Sequence, residues 1–393
     1  MVEVYSKARQ KSISVERILY NIKGLNNGPT VVFFGGIHGN EPAGIFALQS
    51  VFSNLDSSIV NGNIYAISGN LKALKEGKRY ITKDLNRVWT EEDIKSLLEI
   101  NSIVSEHEEQ LELYNLLNEI IERNKGPFYF IDLHTTSSKT IPFITINDAV
   151  INRKFSKQFP VPIVLGIEEY LNGPLLSYVN TLGYVSLGFE SGQHDSKEAI
   201  TNSISFINLV LKQTNSIPDN GVSEHYNYLK ESAKEVTEFF EVTYLHRIKN
   251  NDNFEILPSF KSFEKIKRGE LIAKHNNEEI VAKHSGRIFM PLYQKSGNEG
   301  FFIVRKIYPF FLGLSIFLRN IKADKLFTLL PGISWHNKEK GTLKVNLNTA
   351  KFYAKAIFHL LGYRSREIDK SYLFVTNRER VSKTKSYVNE KWF

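Results

Sequence analysis

Four side chains that can bind a metal or carry a proton stand near the ends of apolar runs in the first half of the sequence. His38 and Glu41 lie three residues apart in VVFFGGIHGNEPAG, His134 ends FYFIDLH, and Glu190 ends YVSLGFE. Two imidazoles and a carboxylate are a common set of catalytic zinc ligands, with a fourth position left for water. Because the sequence contains no cysteine, any metal must be held by His, Asp or Glu. These residues therefore predict a catalytic zinc site.

The elements that must position these residues alternate along the chain. Between residues 30 and 211, short apolar runs alternate with longer amphipathic ones, which is typical of an α/β sheet with crossover helices. The predicted strands are 31–36, 63–69, 128–134, 142–146, 161–165 and 184–190. The predicted helices are 41–55, 107–123, 170–179, 195–212 and 227–241. If the strands that precede the four side chains are parallel, their carboxyl ends open on one crevice.

Several residues flank the predicted site, and two of them, Asp132 and His194, have two interpretations each. Ser186 and Gly188 share a strand face with Glu190 and leave space in front of its carboxylate. Asp132, on the same strand face as His134, is either a structural strand-end residue or a partner of that imidazole. Asp84 is interpreted as a structural turn residue. His194 either lines the pocket or starts the next helix, and the helix start is favoured.

The pattern changes after the α/β region. From about residue 242 to 305, short strands alternate with turns, which predicts a small β domain. The last part of the chain holds one clear amphipathic helix, TAKFYAKAIFHLLGY. We therefore divide the chain into an α/β domain that carries the predicted zinc site (1–241), a small β domain (242–316) and a basic C-terminal extension (317–393).

Charge and hydropathy limit the classes of partner. The net charge of the 393 residues is +8, but residues 317–393 contain sixteen Lys/Arg and six Asp/Glu, so they alone carry +10. Charge confined to one terminal segment favours a solvated face, and no nucleic-acid-binding motif accompanies it. The longest apolar run, FFLGLSIFL, is too short to span a bilayer, and the N-terminus lacks a secretory signal pattern. We expect a cytoplasmic protein that binds neither nucleic acid nor membrane.

Four ordered segments carry a resemblance to a known family. GGIHGNEPAG, RYITKDLNRVW, FIDLHTT and FESGQH resemble, in order and spacing, the succinylglutamate desuccinylase/aspartoacylase family, whose members are relatives of the zinc carboxypeptidases. A later segment, MPLYQKSGNEGFFIVR, resembles the β domain of bacterial members. The resemblance covers residues 30–307. It implies a zinc-carboxypeptidase-like α/β fold with a mixed sheet and flanking helices, joined to a smaller C-terminal β domain that narrows the mouth of the site.

The resemblance also implies roles for the motif residues. His38, Glu41 and His134 match the ligands of one zinc ion, and Glu190 matches the catalytic glutamate that handles protons. These types suit the chemistry, because zinc polarises a carbonyl and lowers the pKa of water while a carboxylate accepts the proton.

Substrate-binding residues are implied by RYITKDLNRVW. Arg79 matches the arginine that engages the scissile carbonyl, and Asn86 and Arg87 match the pair that holds the substrate carboxylate. A guanidinium group can bind a carboxylate through two parallel hydrogen bonds. Asn180 stands where aspartoacylase has an arginine for a second carboxylate, and EGFFIVR has phenylalanines where a tyrosine reaches that site. These departures argue against N-acetylaspartate as the substrate.

Taken together, the residues predict a zinc-dependent amidohydrolase that removes an acyl group from an N-acyl amino acid or a related small amide. The alternative is a zinc carboxypeptidase acting on short peptides, which would use the same metal and arginines. A third hypothesis is a non-enzyme whose basic extension binds an acidic partner, but the intact set of ligands and base weighs against it. Assembly into a homo-oligomer stays open.

Overall fold

The fold is that of a computed structural model that describes residues 1–99, 105–219, 221–249, 251–339, 341–349, 355–367 and 371–393. The strands, numbered in chain order, are β1 (Val2–Ser6), β2 (Lys11–Val15), β3 (Ile18–Lys23), β4 (Asn26–Gly35), β5 (Asn61–Ser68), β6 (Phe128–Thr136), β7 (Phe143–Ile146), β8 (Ile163–Leu165), β9 (Val185–Gln193), β10 (Phe239–Arg247), β11 (Phe254–Ile256), β12 (Lys265–Ile266), β13 (Leu271–His275), β14 (Glu278–Val281), β15 (Gly286–Phe289), β16 (Glu299–Ile307), β17 (Ile333–Asn337), β18 (Thr342–Asn346), β19 (Tyr363–Glu367) and β20 (Tyr372–Asn377). The helices are α1 (Ala43–Phe52), α2 (Leu71–Glu76), α3 (Glu91–Glu99), α4 (Ser105–Arg123), α5 (Val150–Ser156), α6 (Leu175–Thr181), α7 (Lys197–Gln213), α8 (Val222–Ser232), α9 (Pro309–Asn320) and α10 (Lys355–Leu360). Short 3₁₀ turns lie at Ser57–Ile59, Leu85–Arg87, Ile167–Glu169, Ala323–Leu329 and Thr384–Tyr387.

One large mixed sheet organises the chain. Its eleven strands follow the order β12-β15-β16-β10-β8-β7-β9-β6-β4-β5-β3. At its centre β9, β6 and β4 are neighbours and run parallel, so their carboxyl ends meet at one edge of the sheet. The predicted α/β fold with a mixed sheet is confirmed, and the three strands that carry the candidate residues lie side by side.

Both faces of the central strands are buried, which explains why their sequences are continuous apolar runs. Val31 and Phe33 of β4 belong to a core that includes residues of α1 and α7. Val32 and Phe34 point the other way, into a core with residues of α4 and α6. The sheet is therefore a rigid layer between helices, from which the loops at the carboxyl edge emerge.

The predicted helix 227–241 is wrong over its second half. Helix α8 ends at Ser232, and Lys234 and Glu235 both have positive φ, which ends helical geometry. The chain then enters β10, which pairs with β8 and β16 and buries Phe239 and Phe240. This long-range pairing overrides local helix propensity.

The division into domains stays a prediction. The proposed boundary between residues 241 and 242 falls inside β10, and the strands β10, β16, β15 and β12 continue the large sheet. A separate three-stranded sheet, β11-β13-β14, accounts for the remaining strands of the predicted small β domain.

The C-terminal extension contains more structure than the single predicted helix. It forms a four-stranded sheet, β17-β18-β20-β19, beside α9 and α10. Residues 350–354 of the predicted helix lie outside the described residues. The chain then returns to the α/β domain, where Tyr387 and Trp392 are buried and pack against Tyr129 at ring-centroid distances of 5.5 and 6.1 Å.

The positive charge of the extension is only partly solvated. Arg319 and Arg378 are buried and form ion pairs with carboxylates of the α/β domain, so the expectation of a purely solvated face is wrong for these two residues. Among the described residues, no helix is both long and apolar enough to cross a membrane.

Candidate metal and active site

The loop after β4 brings the first two candidate ligands to the carboxyl edge of the sheet. Gly36 turns the chain out of the strand with φ = +68°, a conformation that favours glycine. A Cβ on Gly39 would lie 2.0 Å from the backbone carbon of Ala73, so only glycine allows this close approach. The Gly39 N–H donates to the Arg79 carbonyl at 3.2 Å. These constraints hold His38 and Glu41 in a tightly packed loop.

The three candidate ligands converge on one another. Ligating atoms of His38, Glu41 and His134 all lie within 4.8 Å of each other, and all three side chains are buried. Nδ1 of His38 lies 2.9 Å from Glu41 Oε1, and Nδ1 of His134 lies 3.1 Å from Glu41 Oε2. The Thr135 N–H also donates to Glu41 Oε2, at 2.9 Å. The proximity predicted from the strand ends is confirmed.

The Nε2 nitrogen of each of the two histidines contacts a carboxylate. His38 Nε2 lies 3.0 Å from Asp84 Oδ1, and His134 Nε2 lies 2.7 Å from Asp132 Oδ2. Carboxylates in these positions fix the orientation of a histidine and increase its basicity as a metal ligand. Two imidazoles and one carboxylate that converge, each imidazole backed by a second carboxylate, fit a zinc ion. Asp132 is therefore a partner of His134 and not merely a strand-end residue.

Sequence reasoning missed the role of Asp84. Its Oδ1 accepts from the Asn86 N–H, as expected of a turn residue, but Oδ2 also accepts from Nε and Nη2 of Arg79 at 3.0 and 2.9 Å. Burial alone would raise the pKa of Asp84, but His38 and Arg79 outweigh it and hold the pKa well below its usual value. The carboxylate form is thereby maintained between an imidazole and a guanidinium. Its position within RYITKDLNRVW was the one available signal.

The predicted substrate-binding residues line the same cavity as the three candidate metal ligands. Arg79 Nη1 lies 3.6 Å from Glu41 Oε1. The side chain of Asn86 accepts a hydrogen bond from the Leu175 N–H at 2.9 Å. Arg87 donates from Nη2 to Glu299 Oε1 at 3.1 Å. The guanidinium predicted to hold a substrate carboxylate is therefore paired here with a carboxylate from the first residue of β16.

Glu190 lies on β9, the strand next to the one that carries His134. It stands opposite His134 in the pairing of β6 with β9, and it lines the same cavity. Its Oε2 is buried and has no hydrogen-bond partner within the described parts of the chain. Burial raises the pKa of Glu190 to about 8, although the nearby His134 lowers it. A buried carboxyl group without a fixed partner is suited to exchanging a proton with a bound molecule.

The cavity is small and continues towards β16. It encloses about 730 Å³ of space between atoms, including its mouth. An adjoining cavity shares Arg79 and Arg87 and is lined further by Gln294 and Phe302, so residues after β15 help to cover the site. Phe302 belongs to the predicted EGFFIVR segment. Asn180 is not among the described residues that line either cavity; its Oδ1 accepts from the side chain of Asn152.

The favoured interpretation of His194 as a helix start is wrong. Helix α7 begins at Lys197, where the Ser196 side chain accepts from the Ala199 N–H as an N-cap. His194 instead lines the adjoining cavity, with its Nδ1 2.7 Å from Thr135 Oγ1. The pairing of β6 with β9 brings these two segments together, which no local pattern reveals.

The fold and the site thus define a mixed α/β protein with a buried His–Glu–His group of the metal-binding type. Residues 27–205 match the family model described as the succinylglutamate desuccinylase/aspartoacylase catalytic domain. This match confirms the resemblance predicted from the four motifs.

Curated relatives match only part of their length. A probable aspartoacylase from Acaryochloris marina (strain MBIC 11017) is 32% identical over 126 residues, which are 31% of this chain and 40% of that protein. A probable aspartoacylase from Prochlorococcus marinus (strain NATL2A) is 36% identical over 112 residues, or 28% of this chain and 34% of that protein. The chain thus spans less than half the length of these relatives.

Solved structures share the fold over a longer stretch. A succinylglutamate desuccinylase/aspartoacylase from Rhodobacter sphaeroides has a TM-score of 0.57 and 18% identity, with 73% of this chain and 88% of that chain covered. The ectoine utilization protein EutE (DoeB) from Ruegeria pomeroyi, solved with product bound, has a TM-score of 0.56 and 16% identity, with 72% and 87% covered. At these identities the likeness concerns the fold.

Proposed function

We propose that this protein is a zinc-dependent amidohydrolase that removes an acyl group from an N-acyl amino acid. One observation carries the proposal: the ligating atoms of His38, Glu41 and His134 lie within 4.8 Å of one another, beside Glu190, in one buried cavity. The match of residues 27–205 to a family model of deacylase catalytic domains supports hydrolysis of acyl amino acids.

In this proposal the three converging side chains hold the zinc ion. When bound, zinc supplies a Lewis acid that polarises the amide carbonyl and lowers the pKa of water. Glu190 accepts the proton of the attacking water and passes it to the departing amine nitrogen. Arg79 donates to the carbonyl oxygen as negative charge develops there. Asp84 and Asp132 keep the imidazoles in the orientation that binding requires.

Substrate binding is assigned to Arg87 and Asn86. Because Arg87 pairs with Glu299 in this structure, a substrate carboxylate would take the place of the Glu299 carboxylate. Two charge-assisted hydrogen bonds from one guanidinium would then set the position of the amide. The covering residues after β15 leave a small cavity, which favours single amino acids over longer peptides.

The test combines metal analysis with a substrate screen. Purified protein supplied with zinc should contain about one zinc per chain and should hydrolyse one or more N-acetyl, N-succinyl or N-formyl amino acids. His38→Ala and His134→Ala should lose both zinc and activity, while His284→Ala, at an exposed position outside the cavity, should lose neither. A wild-type protein that binds no zinc would contradict the proposal. Cleavage of dipeptides but not of N-acyl amino acids would indicate a carboxypeptidase instead.

A further inference from the structure

Exposed apolar side chains are concentrated in one short segment far from the catalytic cavity in sequence. In the described part of the chain twenty large apolar side chains are exposed, and seven of them lie between residues 308 and 329. Five of these seven, each more than half exposed, are here called the apolar face: Phe310, Phe317, Ile321, Leu326 and Leu329. Single exposed apolar residues are normal, but a cluster of them indicates contact with another molecule.

Helix α9 contributes the first part of the apolar face. Phe310, Phe317 and Ile321, at spacings of seven and four residues, follow one side of α9 and its C-terminal cap. Two polar residues of the helix, Ser315 and Arg319, are instead buried, and both donate to the same backbone carbonyl of α10, at 2.7 and 3.2 Å. A surface helix of a globular protein normally has the reverse arrangement, with apolar residues inside and polar residues outside.

The 3₁₀ turn Ala323–Leu329, which packs against α9, contributes the second part. Leu326 and Leu329 are three residues apart, a spacing that places two side chains on the same side of a 3₁₀ helix. They are 63% and 78% exposed, whereas Phe327 between them is buried. The exposed apolar surface therefore continues beyond the end of α9.

The charged residues beside the apolar face are positive. Lys322 and Lys325 are exposed and lie between its two parts in the sequence. Asp324 is the one acidic residue between residues 308 and 329. Its Oδ2 accepts a hydrogen bond from the Tyr363 hydroxyl at 3.0 Å, so this carboxylate is already bound within the extension.

This combination favours a lipid surface over a second copy of the chain. Lysine is depleted in protein–protein interfaces, and a symmetric contact between two copies through this face would bring their lysines towards each other. Helices that lie in a membrane interface, in contrast, combine Phe and Leu on one side with adjacent lysines that attract anionic headgroups. The net charge of +10 on residues 317–393 has the sign that such headgroups require.

We propose that α9 and the 3₁₀ turn after it attach this protein to the surface of a bilayer that contains anionic lipids. The apolar face enters the boundary between headgroups and acyl chains, while Lys322 and Lys325 contact lipid phosphates. At 12 residues α9 is shorter than the ~20 that cross a hydrocarbon core, so the attachment is peripheral. The sequence-based expectation of no membrane binding rested on the length of apolar runs, which concerns spanning helices and not interfacial ones.

Vesicle binding by the full-length, wild-type protein tests the proposal. Cosedimentation is measured with vesicles of phosphatidylcholine alone and with vesicles of equal parts phosphatidylcholine and phosphatidylglycerol. The partition coefficient should be about tenfold or more higher for the anionic vesicles, and the difference should shrink at high salt. Binding to neither kind of vesicle, or equal binding to both, would overturn the proposal.

A double substitution on α9 tests the apolar face. Phe310→Gln with Phe317→Gln should lower the partition coefficient for anionic vesicles by about tenfold or more, because two buried aromatic side chains are lost. Glutamine is a good helix former, and both positions are exposed, so α9 should be retained. The control is Leu25→Gln with Leu98→Gln, at positions of the α/β domain that are 79% and 59% exposed, and it should bind as the wild type does. An equal loss in both proteins, or a loss in neither, would refute the assignment; if the α9 variant does not fold, the wild-type comparison decides.

Charge reversal tests the two lysines. Lys322→Glu with Lys325→Glu should remove the preference for anionic vesicles. Lys11→Glu with Lys23→Glu changes the net charge equally at exposed positions of β2 and β3, and should keep the preference. A preference that persists in the first protein, or disappears from both, would contradict a local role for these lysines.

Sedimentation velocity without vesicles tests the alternative of a second copy. A monomer, or an oligomer that the Phe310→Gln/Phe317→Gln variant retains, leaves the apolar face free for lipid and supports the proposal. An oligomer that dissociates in this variant but not in the leucine control would assign the face to a second copy and overturn the proposal.

Discussion

Replacing Glu190 with glutamine separates metal binding from proton transfer. The substitution preserves the shape of a side chain whose Oε2 has no hydrogen-bond partner in the described residues, so no bond to that oxygen is lost. Loss of general-base catalysis typically lowers the rate by ~10²–10⁴, or roughly 3–5 kcal/mol of barrier. We expect Glu190→Gln to bind zinc normally, with kcat at least ~100-fold lower and KM changed much less.

The same substitution lowers activity but should increase the stability of the metal-free protein. Burial raises the pKa of Glu190 to about 8 from an ordinary value of 4.5. Because the pKa is higher in the folded state than in the unfolded state, ionisation of Glu190 favours unfolding. This destabilisation grows as the pH rises from 4.5 to about 8. At pH 7 this penalty is about 3 kcal/mol, since each pKa unit corresponds to ~1.4 kcal/mol. The glutamine side chain does not ionise, so the variant is not destabilised in this way.

Steady-state kinetics, zinc analysis and denaturant unfolding test both parts. Metal-free Glu190→Gln should be more stable than the wild type at pH 7, and this advantage should largely disappear at pH 4.5. Loss of zinc by the variant would make Glu190 a ligand, whereas near-normal kcat would exclude it as the base. Equal stabilities at both pH values would refute the argument from burial.

Two further predictions concern the surroundings of the site, and a third concerns the C-terminal residues. Asp132→Asn should weaken zinc affinity by ~10–100-fold, because the carboxylate no longer orients His134; chelator competition measures this, and unchanged affinity would contradict it. Glu299→Gln should lower KM with little change in kcat, since Arg87 loses its anionic competitor; a higher KM would show that Glu299 instead supports the binding site. Tyr387→Phe should lower the free energy of unfolding by about 1–3 kcal/mol, because the buried hydroxyl donates to the Phe128 carbonyl and accepts from the Val185 N–H. Urea unfolding measures this loss, with Tyr5→Phe at an exposed position as the control; equal effects of the two substitutions would argue against a structural role for the C-terminal residues.

The sequence by itself determined the central strands of the fold and the three residues of the candidate metal site. Strands β4, β6 and β9 could be predicted because strands buried on both faces require continuous apolar runs. His38, Glu41 and His134 could be expected to meet because each follows or ends such a run, and the carboxyl ends of neighbouring parallel strands share one edge. Patterns of this kind are local, so they are visible without the tertiary structure.

Only the tertiary structure decided which charged groups surround that centre. Asp84 contacts His38 across 46 residues of sequence, and Arg87 contacts Glu299 across 212. The burial of Arg378 beside Glu168 depends on the C-terminal extension folding back onto the α/β domain. An ion pair between distant segments leaves no periodic signal in either segment. In the sequence alone, a charged residue that forms a buried ion pair cannot be distinguished from one that is exposed to water. The end of α8 and the start of β10 were hidden for a similar reason, since pairing with β8 and β16 outweighed the local propensity for helix.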